Sequence, residues 1–94
     1  MGQKDRCFDA PFLKRYAILQ AEAQYNLGNM YGRGTGVPEN NVMAYMWWNL
    51  AAAQGDEDAK KNKGIVQEKM TPADISKAQT LSRECLAKDY KDCR

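Results

Sequence analysis

Ninety-four residues make one small domain, and a chain this short buries only ~60–65% of its unfolded surface. The apolar fraction is 44%, which is globular, and 14 Lys and Arg against 12 Asp and Glu leave a net charge of +2, far from the basic excess of a nucleic-acid binder. There is no histidine, so a Ser-His or Cys-His nucleophile pair is excluded within one chain, and the commonest metal ligand is missing. Lys60, Lys61, Lys63 and Lys69 cluster, but Glu57, Asp58 and Glu68 sit among them, which reads as a solvated helix face.

No apolar run approaches the ~20 residues of a membrane span. The start, Met-Gly-Gln-Lys-Asp-Arg-Cys, lacks the apolar core of a signal peptide. A cytoplasmic protein is expected from the sequence as it stands, or a periplasmic or secreted one if a leader has been removed.

In chain order, a helix is expected from Asp9 as cap, with Pro11 inside its first turn. A second helix starts near Ala23 and ends where Gly32, Gly34, Gly36 and Pro38 force an extended loop. A third is stopped by Gly55 as a left-handed cap, and Asp56 starts a fourth. Thr71-Pro72-Ala73-Asp74 opens a fifth, with a capping Thr, Pro at the first helical position and an acid in the first turn. Nothing alternates as a strand would, so the chain reads as all-α, with four to five helices.

These helices repeat. Ala44, Trp47, Ala51 and Gln54 are echoed 34 residues earlier by Ala10, Leu13, Ala17 and Gln20, and 34 residues later by Ala78, Leu81, Cys85 and Lys88. Between them lie two further helices, with Leu27-Gly28 in the first matched by Lys63-Gly64 in the second. The order is B, A, B, A, B. Small residues at Ala23, Gly28, Ala44, Ala51 and Ala52 let antiparallel helices approach to ~8–10 Å. Leu27, Met30, Tyr31, Trp47 and Leu50 fill the remaining volume.

The run Ala23…Leu27-Gly28…Met30-Tyr31…Gly34…Gly36-Val37…Ala44…Trp47…Ala51-Ala52…Gly55 resembles the Sel-one-like repeat, a relative of the tetratricopeptide repeat. The likeness is close over residues 21–58 and weakens through 59–88, like the degenerate last repeat common in bacterial members. It implies a short α/α superhelix of helical hairpins acting as a protein–protein interaction module, with no catalytic residues, no cofactor and no metal. Residues 1–94 then form a single repeat domain: a partial N-terminal helix at 9–20, an intact repeat at 21–55, and a degenerate repeat or C-terminal cap at 56–90. Two departures, Lys63 where the family has Leu and no Gly-x-Gly-Val element before Thr71, suit an end cap with a polar outer face.

The N-terminal side departs differently. Gln54-Gly55-Asp56 contains a full turn, but the matching Gln20-Ala21-Glu22-Ala23 lacks the Gly-Asp pair. Residues 10–32 then run either as two helices with a tight turn at Gln20-Ala21 or as one long helix. In the second case Phe12, Leu13, Tyr16 and Ile18 need another partner, which a second chain could supply by dimerisation or swapping.

By analogy with the family, the first helix of each unit lines a concave face. Glu22, Tyr25, Asn29 and Arg33 form a stripe at helical spacing, continued by Lys61, Ile65 and Lys69. An acid, an aromatic, an amide and a cation suit a peptide or protein partner, and this stripe is the expected binding site. Trp47 lies at a core position, and Trp48 covers a helix flank or a neighbouring unit. Cys7, Cys85 and Cys93 show no CxxC spacing. Cys85 and Cys93 could bond if the tail turns back after Lys88. The missing export signal favours free thiols slightly, and Cys7 is left unpaired or available to link chains.

The expected function is a non-enzymatic interaction module that binds a protein or peptide, neither nucleic acid nor membrane. The first alternative is a self-assembly element forming a homodimer through the N-terminal helix. The second is a small hydrolase on cell-wall-type ligands, as associated with some cysteine-rich relatives; this chain lacks their paired cysteines at repeat spacing.

Overall fold

The computed structural model describes residues 11–88 and Cys93, with side chains from Ala21 onward. Four helices make up the described chain: α1 (Pro11–Arg33), α2 (Asn41–Ala53), α3 (Glu57–Gln67) and α4 (Pro72–Ala87). The expected cap Asp9, the fate of Cys7, and the side chains of Phe12, Leu13, Tyr16 and Ile18 lie outside the described residues.

α1 settles the question left open at Gln20-Ala21: it is a single helix of 23 residues, ~34 Å long at 1.5 Å per residue. No Gly or Pro interrupts Gln20-Ala21-Glu22-Ala23, and these residues favour continuation. The helix stops at Arg33, whose cation sits in the last turn beside the negative end of the helix dipole. Gly34 and Gly36 then take φ of 70° and 79°, which side chains rarely adopt. The loop is pinned back by Thr35 N–H donating to the Met30 carbonyl and Asn40 N–H to the Tyr31 carbonyl, both at 2.9 Å.

α2 is the centre of the fold. Its residues Met43 through Trp48, with Leu50 and Ala51, are all buried, as expected of a helix apolar nearly all round. It packs against α1, α3 and α4 in turn. Asn40 caps it, its Oδ1 accepting from Met43 N–H at 3.1 Å. Gly55, with φ of 100°, turns the chain out of it. Asp56 caps α3 through Ala59 N–H at 2.9 Å, and Thr71 caps α4 through Asp74 N–H at 3.1 Å, with Pro72 following.

The 34-residue echo is a packing echo. Ala44, Ala51, Ala78 and Cys85, its small positions, are each at most 1% exposed. Tyr45 Oη accepts from Gln79 Nε2 at 3.3 Å, joining two residues one period apart. Lys63, where the repeat wants Leu, is half-buried: its Nζ stands 5.8 Å over the Tyr45 ring and donates to Asn49 Oδ1 at 3.1 Å.

Two expectations are corrected. Ala23 is exposed rather than at a helix contact, and among the described side-chain positions of α1 the buried ones are Ala21, Gln24 and Gly28. The repeat pattern covers Ala23 with the preceding helix folded back, and an unbroken α1 cannot fold back. The slight preference for free thiols also falls: Cys85 and Cys93 are bonded, their Cα atoms 5.3 Å apart. Both are buried beside Met46, Trp47 and Leu50, so the bond fixes the tail to the far side of α2.

Candidate functional site

The site begins with two glycines one turn apart on α1. A Cβ on Gly28 would overlap the indole of Trp48, and one on Gly32 would lie 2.8 Å from its Cη2. The indole therefore runs along α1 from Gly28 to Gly32, where the helix has no side chains. Its Nε1–H donates to the Tyr25 carbonyl at 3.2 Å, which satisfies the buried nitrogen.

Above this ring, α1 and α3 leave an open groove of about 170 Å³. Asn29, Gly32 and Arg33 line it from α1, Ile65 and Val66 from α3, with Lys69 just past the end of α3, and Asn41 and Trp48 from α2. Asn62 of α3 also lines it and donates through Nδ2 to Asn29 Oδ1 at 3.4 Å, a long bond that ties the two walls. Ile65 is 53% exposed, an uncovered branched side chain at the rim. No carboxylate lines this groove. Its volume is below the ~300–1,000 Å³ of small-molecule sites, and suits one anchoring side chain of a larger partner.

Of the residues expected from the sequence, Asn29, Arg33, Ile65 and Lys69 come together here. Glu22 lines a separate hollow with Ala21, Gln54, Gly55 and Asp56, at the other end of the same α1 stripe. Tyr25 is half-buried against the α2 cluster, and Lys61 is exposed on α3; neither lines the groove. Sequence reasoning missed Trp48 as the floor and Asn41 and Asn62 as walls. The signal for Trp48 was present: glycines at i and i+4 of a helix leave a slot wide enough for a ring.

Among the described residues, no three His, Cys, Asp or Glu side chains come close enough to hold a metal ion, and no helix is long and apolar enough to cross a membrane. Neither a curated protein nor a solved structure matches the chain. The family model of the Sel1 repeat matches residues 21–56, which covers α2, the described side chains of α1 and the turn into α3. Such repeats are tetratricopeptide-like helical hairpins that generally mediate protein–protein interaction and are typically not enzymes. In its helical hairpin, its glycine-punctuated loop and this match, the stretch from residue 21 to residue 56 is similar to a Sel1 repeat.

Proposed function

We propose that the protein is a non-enzymatic interaction module that seats a peptide or protein partner in the groove between α1 and α3. One observation carries this reading: Asn29 and Arg33 from one helix and Ile65 and Lys69 from the α3 side line a single groove over Trp48. Residues 21–55 supply its first wall and floor, and residues 56–90 act as the degenerate repeat that supplies the second wall and closes the solenoid. With a net charge of +2 the partner is a protein or peptide rather than nucleic acid. A disulfide between Cys85 and Cys93 fits an oxidising compartment better than the cytoplasm.

The test is a peptide-display selection against the wild-type protein, repeated with Ile65→Arg and with a Tyr25, Asn29 and Arg33 triple alanine variant. Selected peptides should lose most of their binding to both variants while the helical content stays unchanged. Full affinity for the folded triple variant would rule the stripe out.

A second reading has its own observation. Because α1 is unbroken from Pro11 to Arg33, its first half cannot cover Ala23, which is exposed. We infer that a second copy can supply that cover, as a homodimer through Phe12, Leu13, Tyr16 and Ile18. Light scattering behind size exclusion decides it, and a clean monomer at high micromolar concentration ends the idea.

A further inference from the structure

The α1 stripe is electrically polarised, with the groove at one end and the Glu22 hollow at the other. Glu22, Asn29 and Arg33 are spaced seven and four apart and so lie on one face of α1. At the far end Arg33 and Lys69 stand among carboxamides, with no acid lining the groove. At the near end Glu22 and Asp56 line the neighbouring hollow, with no cation in its lining. Glu22 and Arg33 are ~16 Å apart along the helix at 1.5 Å per residue, the reach of about five extended residues.

Resting on the interaction reading above, we propose that the partner segment is a peptide with acidic residues on one side only of an apolar anchor. The anchor, a leucine-sized side chain, fills the slot between Ile65, Val66 and the edge of Trp48. The adjoining carboxylates meet Arg33 and Lys69. Asn29 and Asn62 spend one donor and one acceptor on each other and keep further amide hydrogens for the peptide backbone. Acids on the other side of the anchor run toward Glu22 and Asp56 and are repelled. The groove thus selects where the charge is placed, and a uniformly acidic segment is a poorer fit.

Three fluorescein-labelled octapeptides test this, each with one central leucine: one with Asp and Glu on one side and Ser and Gly on the other, one with Asn and Gln replacing the acids, and one with acids on both sides. Anisotropy at 50 mM salt should show the one-sided peptide bound about three- to tenfold tighter than the neutral one, the scale of one or two exposed charge contacts. The gain should vanish in an Arg33→Gln, Lys69→Gln variant and shrink at 0.5 M salt. The two-sided peptide should bind more weakly than the one-sided, and recover in Glu22→Gln. Equal affinity for all three peptides, with Ile65→Arg abolishing binding, overturns the charge selection and leaves the groove reading standing. Binding that survives Ile65→Arg, or no binding of any peptide, overturns both.

Discussion

Gly28 and Gly64 occupy matching places in the two hairpins, and their surroundings differ completely. Gly28 is buried with the Trp48 indole pressed on it, while a Cβ on Gly64 would meet nothing within 4 Å. The cause lies one helix further on. Where the first hairpin has Trp48, the position 34 residues later holds Ser82, which turns its hydroxyl back to the Ala78 carbonyl at 2.9 Å. A ring demands a glycine opposite it, and a serine does not. The first hairpin is therefore an interlocked unit, and the second keeps the glycine without the ring.

That contrast can be broken at several points. Trp48→Ala should have the largest effect, a loss of ~3–5 kcal/mol, because it empties the space between α1 and α2; urea unfolding measures it. Gly28→Ala should lose ~1–3 kcal/mol by overpacking. In the Trp48→Ala background the same change should become neutral or stabilising, since the cavity accepts the methyl and the two sites are coupled. Reducing the Cys85–Cys93 bond, which closes a loop of 8 residues' separation, should lose roughly 2.5 kcal/mol on the chain-entropy account, read as a lower denaturation midpoint in reductant. Gly64→Ala should be the smallest change and opposite in sign to Gly28→Ala, a gain of ~0.5–1 kcal/mol, because an exposed helical glycine only adds flexibility to the unfolded chain. If both alanines destabilise equally, the contrast between the hairpins is wrong.

Much of the fold was legible because its punctuation is local. Gly55, Asp56, Thr71 and Pro72 act through their own backbones and neighbours three residues away, and the 34-residue echo follows from the small residues that α2 and α4 bury. What depended on distant chain was harder to read. Ala23 followed the repeat pattern, but its burial needs a helix folded back from residues before it, and the missing Gly-Asp pair prevents that. The disulfide needed the tail to turn and return to α2, a path no periodicity encodes. In the groove, Asn29, Arg33, Ile65 and Lys69 could be read from helical spacing, which places residues on a face. The facing of that surface onto α3, and Trp48 as its floor, come from how three helices cross.

Trp47 and Trp48 are neighbours in sequence but lie in separate clusters, one beside the disulfide and one under the groove. Their two indole N–H signals in a proton–nitrogen correlation spectrum therefore report the two sides of α2 at once. Titration with the one-sided acidic peptide should shift the Trp48 indole together with the side-chain amides of Asn29 and Asn62, along one saturating curve, and leave Trp47 in place. Shifts at Trp47, or around the exposed Leu86 on α4, with Trp48 unmoved would contradict a binding groove between α1 and α3.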